Sequence, residues 1–365
     1  MYNRFKYLDS KYLAGDALKD TIMFRAYVAK GPKPSLTVTP YQNLYVAALY
    51  RNGDVVTPIR AEKGKPVLLK NPVEDDATET DQETIIYSAS QLMDIGDISV
   101  FRPGYADFSA ATKLQRLQIG SAKQSYENAN LKMLNVGANH LLTYLDARNC
   151  TNLGTEPNPG EQATQTIDLS QCYSIEEVYF DNTQIKGCSF PVGGNLKVVH
   201  LPATLTSLTI RNHPNLREFK LDGTQNLTSL WLEDVPSEAI NTYEYVMGMP
   251  KDATVRLIGI NTTVDSLAEL QALYKKLNEE LHGLDSKGDY LPKAQITGTI
   301  HIATIPYAEY IRLSAMFPEV TIDPEIIVCT VRFYEADGTT VYAIQNLTQG
   351  GAARFPKCLV AKPSD

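Results

Sequence analysis

The sequence predicts an α/β solenoid with a β-rich segment before it and an αβ segment after it, and three observations support this fold class. The pattern Leu-x-x-Leu-x-Leu recurs about every 11 residues through the middle of the chain. Residues 1–87 contain short runs of alternating apolar and polar side chains, as half-buried strands do. Beyond residue 235, strand-like and helix-like segments alternate, which is typical of parallel crossover connections.

The repeated pattern defines the solenoid, which we place at residues 88–235. An isolated early copy begins at Leu114, and one double-length step contains a polar insert at residues 155–163. A single copy cannot bury its own apolar edge, so neighbouring copies must stack. With some substitutions tolerated, the first positions of the other copies are residues 131, 142, 164, 175, 185, 196, 205, 216 and 227.

The residues that follow the pattern predict how the chain turns between copies. Asn149, Cys150, Cys172, Asn182 and Asn212 stand at these points. We expect buried asparagine or cysteine side chains there, which satisfy or pack against the turning backbone. The chain has 5 cysteines in all. Because that number is odd and no pair has metal-site spacing, the cysteines of the ladder are interpreted as buried free thiols.

Residues 1–87 are predicted to form a β-sandwich-like domain that covers the N-terminal end of the solenoid. Strands are predicted at residues 22–28, 44–50, 55–60, 66–70 and 84–88. Asn52-Gly53, between the second and third of these strands, is a hairpin turn signal. A terminal coil without such a cover would expose its apolar edge.

Residues 236–324 are predicted to form αβ coils that close the C-terminal end. A helix at residues 264–282 has leucines on one face and begins with a capping box of Ser266 and Glu269. A second helix at 306–317 lies between a strand at 296–302 and a short strand at 320–322. Residues 325–365 then contain a β-hairpin around Asp337-Gly338.

The ladder resembles the leucine-rich repeats of bacterial and phage proteins, most clearly in LKVVHLPATLTSLTI at residues 196–210. This resemblance implies coils of about 22 residues, each with two copies of the pattern. The ladder and its flanks also resemble leucine-rich-repeat tail or minor structural proteins of phages, and residues 4–28 resemble an internal segment of longer phage structural proteins. Residues 326–356 resemble the opening of a Listeria–Bacteroides-type repeat, but the later part of that module, with its tryptophan, is missing.

Composition and motifs argue against several functions. The chain has 34 basic and 42 acidic residues and a net charge of -8, which disfavours nucleic-acid binding. No run of about 18 apolar residues is present, so we expect no membrane insertion. Neither the histidines nor the glycine pairs form a metal, nucleotide or hydrolase motif. We therefore predict no catalytic residue, no metal and no cofactor.

The outward positions of the pattern predict a binding surface. If a coil contains two copies, the copies at residues 142, 175, 196 and 216 stack on one face, and those at 164, 185, 205 and 227 stack on the other. The second face is mostly serine and threonine, with Trp231 as an exception. The first face has the aromatic and charged groups that dominate binding hot spots. The predicted binding residues are Tyr144, Asp146, Glu177, Tyr179, Lys197, His200, Arg217 and Lys220.

The resemblance to phage proteins, together with the predicted binding surface, leads to the hypothesis of a non-enzymatic phage structural protein of the tail or host-recognition apparatus. The resemblance implies a place in the virion after assembly in the bacterial cytoplasm, other tail proteins as partners, and a host surface protein or glycan as a further partner. A bacterial cell-surface adhesin of the leucine-rich-repeat type is the first alternative. A glycan-acting enzyme is the second, and it would need two facing carboxylates. Alternatively, the first face is a hydrated wall whose charges only keep the protein soluble.

Overall fold

The computed structural model describes residues 20–28, 34–50, 58–71, 80–123, 125–156, 163–236, 249–250, 253–259, 261–284, 290–292, 294–335 and 337–354. Contacts divide the chain into two units, Met1–Arg256 and Leu257–Asp365. The first unit contains the repeated leucine pattern and residues 236–256 of the predicted αβ segment. The second unit contains the rest of that segment, from residue 257, and the predicted hairpin.

In the described residues of the first unit, seven strands lie before residue 88. β1 pairs antiparallel with β7, and β3 pairs antiparallel with β5. The strands predicted at residues 22–28, 66–70 and 84–88 are confirmed, and the one predicted at 44–50 is divided in two. The turn predicted at Asn52-Gly53 lies outside the described residues. The seven strands are β1 (Thr21–Val28), β2 (Leu36–Pro40), β3 (Leu44–Val46), β4 (Ala48–Leu49), β5 (Ile59–Ala61), β6 (Val67–Leu69) and β7 (Thr80–Tyr87).

Two further strands, β8 (Leu92–Asp97) and β9 (Pro103–Asp107), connect the N-terminal strands to the ladder. On one side β8 pairs antiparallel with β2, and β9 pairs antiparallel with β1. On the other side both strands pair with ladder strands in parallel. The antiparallel N-terminal strands therefore satisfy the backbone groups at the first edge of the ladder.

The ladder itself is a β-solenoid whose successive strands alternate between two parallel stacks. The first face has the strand order β18-β16-β14-β12-β10-β8, and the second face has the order β13-β15-β17-β19-β20. This confirms the predicted division of the copies into two stacks. The strands are β10 (Arg116–Gln118), β11 (Met133–Asn135), β12 (Tyr144–Asp146), β13 (Thr166–Asp168), β14 (Glu177–Tyr179), β15 (Gly187–Ser189), β16 (Val198–Leu201), β17 (Ser207–Arg211), β18 (Glu218–Leu221), β19 (Ser229–Glu233) and β20 (Thr254–Ile258).

The apolar positions of the pattern form the core between the two faces. Leu145, Val178 and Val199 lie in register on adjacent coils and are fully buried. Burial of a side chain of this size stabilises a fold by about 1.5–3 kcal/mol, so stacking is the main source of stability here. Three cysteines of the ladder are buried free thiols, as predicted: Cys150, Cys172 and Cys188.

The described residues of the first unit contain strands and short 3₁₀ turns but no α-helix. The α/β part of the predicted fold class is therefore wrong for the solenoid, which is almost entirely β. The repeat length explains the difference. About 11 residues accommodate one short strand and one turn, whereas a helix of two turns alone needs about 7 residues.

The asparagines that follow the pattern turn the chain through an unusual backbone conformation. Asn149, Asn182 and Asn212 have φ angles of 60°, 56° and 58°. Asparagine is one of the few residues besides glycine that adopts this left-handed conformation readily. Their side chains are half-buried or exposed, so the expectation of buried asparagines at these positions is wrong. The buried amide of Asn128 lies elsewhere and donates to Pro103 O at 2.9 Å.

The second unit contains the predicted strand–helix alternation. β25 pairs in parallel with β21 and with β26, which confirms the crossovers. Ser266 Oγ accepts a hydrogen bond from Glu269 N at 3.2 Å, as the capping box predicts. The elements are β21 (Thr262–Val264), α1 (Leu267–Leu281), β22 (His282–Leu284), β23 (Tyr290–Pro292), β24 (Ala294–Ile296), β25 (Gly298–Pro306), α2 (Tyr307–Met316), β26 (Val320–Tyr334) and β27 (Val341–Thr348).

The hairpin of the second unit is longer than predicted. β26 pairs antiparallel with β27 across the turn at Asp337 and Gly338, which confirms the hairpin. β26 also includes the segment predicted as a separate short strand at residues 320–322. The two predicted strands form one continuous strand, in which Pro324 lies opposite Ile302 of β25.

Candidate functional site

The candidate site is a group of aromatic and charged side chains on the first face, which we call the first-face cluster. Register brings its central members together, because Asp146, Tyr179 and His200 are opposite one another on β12, β14 and β16. β14 buries its middle residue and leaves both neighbours half-exposed. The cluster consists of Arg116, Tyr144, Asp146, Arg148, Glu177, Tyr179, Asp181, His200, Glu218 and Lys220.

Arginines lie over the tyrosine rings of the cluster. The guanidinium carbon of Arg116 is 3.8 Å from the ring centre of Tyr144, and that of Arg148 is 4.2 Å from the ring centre of Tyr179. The two tyrosine ring centres are 5.7 Å apart, and the His200 ring meets Tyr179 edge-on at 5.0 Å. Each cation–π contact contributes about 0.5–1 kcal/mol at an exposed site, so together they hold the rings in place.

Asp146 anchors the cluster from below. Its side chain is only 1% exposed, and it accepts hydrogen bonds from Arg148 Nη2 at 2.7 Å and from Arg148 Nε at 3.1 Å. The backbone N–H of Arg148 donates to the same carboxylate at 3.0 Å. The sequence places Asp146 at an outward position, and the structure shows that longer neighbouring side chains cover it.

Both tyrosine hydroxyls are fixed as hydrogen-bond donors. Tyr144 donates to Asp146 Oδ2 at 3.1 Å, and Tyr179 donates to Glu177 Oε2 at 3.0 Å. Burial raises the pKa of Tyr144, and the negative charge of Asp146 raises it further. Burial and the hydrogen bond to Glu177 also raise the pKa of Tyr179. Both tyrosines are therefore neutral, and each has its ring held by an arginine and its hydroxyl held by a carboxylate.

A second ionic group continues the cluster toward β18. His200 Nδ1 lies 3.1 Å from Asp181 Oδ2, and His200 Nε2 lies 2.8 Å from Glu218 Oε1. Lys220 Nζ is 2.7 Å from Asp181 Oδ1 and 2.8 Å from Asp222 Oδ1. Burial raises the pKa of Asp181, but the hydrogen bond from Lys220 and the proximity of His200 bring the pKa below its ordinary value.

A separate ion pair lies beside the cluster. Glu176 accepts hydrogen bonds from Lys197 Nζ at 2.7 Å and from Asn195 Nδ2 at 2.6 Å. The hydrogen bond from Lys197 lowers the pKa of Glu176, and the nearby charge of Arg217 lowers it further. Arg217 itself is exposed.

The structure brings most of the predicted binding residues together. Lys197 and Arg217 lie beside the cluster, near Glu176. Sequence reasoning missed Arg148 and Asp181, because both lie two residues beyond a predicted outward position, in a turn. It also missed Arg116, although the isolated copy at Leu114 was the signal for an extra coil on this face, and Glu218, which lies at an outward position of the copy at Leu216. The predicted residues within the cluster are Tyr144, Asp146, Glu177, Tyr179, His200 and Lys220.

The second face has a different chemistry, as predicted. Its outward residues are small along β15 and at Ser207 and Thr209 of β17, and the predicted exception is Trp231 on β19. The guanidinium carbons of Arg211 and Arg256 lie 4.3 Å and 4.9 Å from the Trp231 ring centre. Arg211 Nε also donates to Glu233 Oε2 at 2.7 Å, and this hydrogen bond lowers the pKa of Glu233.

Among the described residues, no group of three or more His, Cys, Asp and Glu side chains is placed to hold a metal ion. No helix in the described part of the chain has the length and apolar character needed to cross a membrane.

Comparisons with protein families, with curated proteins and with solved structures find no match. The chemistry of the first-face cluster is therefore the basis for a functional assignment.

Proposed function

We propose that the chain is a non-enzymatic phage structural protein of the tail or host-recognition apparatus, and that its first-face cluster binds a partner protein. The observation that carries the binding role is the stack of Arg116 on Tyr144 and of Arg148 on Tyr179 across adjacent coils. Tyrosine and arginine are enriched among residues that dominate the binding free energy of protein interfaces. The assignment to a phage comes from the sequence resemblance. The assignment of the solenoid to the leucine-rich repeats has the same basis.

Preorganisation supports a binding role. Arg148 is held by Asp146, and Tyr179 is held by Glu177, so neither side chain has to be ordered when a partner arrives. Ordering a flexible side chain costs about 0.5–1.5 kcal/mol on association. A cluster that is already ordered keeps that free energy for binding.

The charge pattern favours a protein partner over a polyanion. The cations of the cluster each have an acceptor within the protein: Gln118 for Arg116, Asp146 for Arg148, and Asp181 for Lys220. A surface that binds phosphates needs cations that can neutralise them. Here acidic and basic groups alternate, which suits the mixed polar surface of a protein.

The engagement of the carboxylates supports a non-enzymatic role. Glu176 is paired with Lys197, Glu177 with the Tyr179 hydroxyl, and Glu233 with Arg211. A glycan-hydrolysing site instead needs two carboxyl groups that face each other across the scissile bond. Each of these three carboxylates therefore has a structural partner.

A bacterial cell-surface adhesin would use the same cluster, and location separates the two alternatives. Immunogold labelling with an antibody against the purified chain is the measurement. Label on purified phage particles supports the virion assignment. Label on the envelope of uninfected cells supports the adhesin.

The binding role is tested by adsorption of the fluorescently labelled full chain to intact host cells. Replacing both Tyr144 and Tyr179 with alanine is expected to weaken adsorption about tenfold or more, as loss of two hot-spot side chains does. Replacing both with phenylalanine keeps the rings and is expected to retain most adsorption. The control is the double variant Thr209→Ala and Ser229→Ala on the second face. Unchanged adsorption by an alanine variant that melts like the parent protein contradicts the binding role.

A further inference from the structure

The second face is interrupted at one place. β11 pairs with β9, and β13 pairs with β15, but β11 and β13 belong to different sheets. Elsewhere along this face each strand pairs with the strand of the next coil. Residues 134–136 and 166–168 are all described, and no backbone hydrogen bond joins the two segments. The parallel ladder is therefore open between these two strands.

A threonine closes one end of this opening. Thr164 N donates to Lys132 O at 2.9 Å, as a paired strand would. Its hydroxyl then accepts from Leu134 N at 3.1 Å and lies 3.3 Å from Leu134 O, to which it can donate. The hydroxyl thus takes the place that the backbone of β13 would otherwise occupy. Beyond Thr164, the strands flank a groove of about 440 Å³.

The hydrogen bonds of β13 on its other side show which of its backbone groups face the groove. Gln165 O accepts from Lys186 N, and Leu169 N donates to Ser189 O, so these groups point toward β15. Backbone groups of successive residues point to opposite sides of a strand. The N–H and C=O groups of Thr166 and Asp168 therefore point away from β15, into the groove. A strand edge of this kind is a template for pairing with another segment.

We propose that this groove binds an extended peptide strand of a partner protein. The strand pairs with the backbone of Thr166 and Asp168 and places a lysine or arginine next to the Asp168 carboxylate. Addition of a strand to an open sheet edge is a recurrent mode of peptide recognition. The site is on the second face, so the proposal does not depend on the role of the first-face cluster.

The lining of the groove indicates which peptide fits. Asp168 is its one carboxylate, and it has neither lysine nor arginine, so charge favours a basic peptide. Met133 and Val136 supply apolar surface for alternate side chains of the strand. The volume falls within the range of about 300–1,000 Å³ that is usual for ligand pockets.

The test begins with a displayed library of random heptapeptides selected against the immobilised full chain. Affinities of the selected peptides are then measured for the parent protein, for Asp168→Lys and for Thr209→Lys. Thr209 is the matched control. It lies in the same row of the second face as Asp168 and is exposed, but its strand is paired on both sides.

We expect enrichment of peptides with a basic residue among β-branched ones. Asp168→Lys is expected to weaken their binding about tenfold or more, and Thr209→Lys to change it less than about twofold. Bound peptide should also slow amide hydrogen exchange at residues 166–168 and leave residues 207–209 unchanged. A selection that yields no peptide, peptides that tolerate Asp168→Lys, or unchanged exchange at 166–168 would each overturn the proposal.

Discussion

Arg148 lies over the Tyr179 ring of the next coil, with 4.2 Å between its guanidinium carbon and the ring centre. The same guanidinium is bound to Asp146 of its own coil at 2.7 Å. One side chain therefore links a buried carboxylate to an exposed aromatic surface. This link makes the stability of the solenoid and the shape of its proposed binding surface depend on the same residue.

Replacing Arg148 with alanine is expected to destabilise the first unit. Asp146 is almost completely buried and would lose its charged partner. We expect a loss of about 3 kcal/mol, the low end for breaking a buried ion pair, because the Tyr144 hydroxyl still donates to Asp146. Urea unfolding measures the change. The exposed Arg217→Ala is the control, with an expected effect within about 0.5 kcal/mol. Equal stability of the two variants would show that Asp146 does not need Arg148.

The effect of a substitution at Asn212 on stability should depend on how well the new residue adopts the backbone conformation found there. Its φ of 58° is left-handed, and a residue with an ordinary Cβ pays about 1–2 kcal/mol there. Asn212→Ala is therefore expected to destabilise the protein by about that amount. Asn212→Gly should stay within about 1 kcal/mol of the parent protein, since glycine adopts this conformation without strain. Chemical unfolding of both variants checks the order, and an alanine variant as stable as the glycine variant contradicts it.

The described cysteines should differ strongly in reactivity. Burial raises the pKa of the Cys172 thiol to about 11, and it also raises the pKa of Cys150 and Cys188. Cys329 is only half-buried. Because the thiolate is the reactive form, alkylation of the native protein near pH 8 should modify Cys329 well before the other three. Mass spectrometry of peptides from a time course measures the order, and labelling in denaturant, where all should react alike, is the control. Early labelling of Cys172 would be inconsistent with its position in the core.

Asp337 should make the hairpin turn sensitive to acid. The Thr340 hydroxyl and the backbone N–H groups of Thr340 and Thr339 donate to its carboxylate and lower its pKa from 3.8 to about 2. Because the folded pKa is the lower one, this stabilisation is complete above pH 3.8 and is lost as the pH falls through about 2.

The measurement for this turn is the amide NMR signal of Thr340, followed from pH 5 downwards. In the parent protein, the shift should titrate with a midpoint near pH 2, below the ordinary value of 3.8. Asp337→Asn has no carboxylate at this position and should abolish the titration. A Thr340 signal that titrates equally in both proteins would assign the effect to another group.

Much of the candidate site follows from the phase of the repeat. Asp146, Tyr179 and His200 occupy equivalent outward positions in alternate copies, so stacking alone places them together. Stacking also places Tyr144 opposite Glu177 in the same way. The burial of Asp146 could not be predicted, because it depends on Arg148 folding back over it from the turn. Side chains in turns have no fixed phase relative to the strands, so Arg148 and Asp181 carried no such signal.

The sequence by itself determined the solenoid, its two stacks and the chemistry of each face, because an apolar side chain in every coil can be buried only against the next coil. Only the tertiary structure decided that the described residues of the coils are almost entirely β and that the ladder opens between β11 and β13. Thr164, a polar residue at the first position of its copy, and the polar insert at residues 155–163 before it were sequence signals at this opening. The spacing between the two coils decides whether Leu134 bonds to the Thr164 hydroxyl or to the β13 backbone. That spacing is set by the packing of the coils and is not encoded in a single repeat.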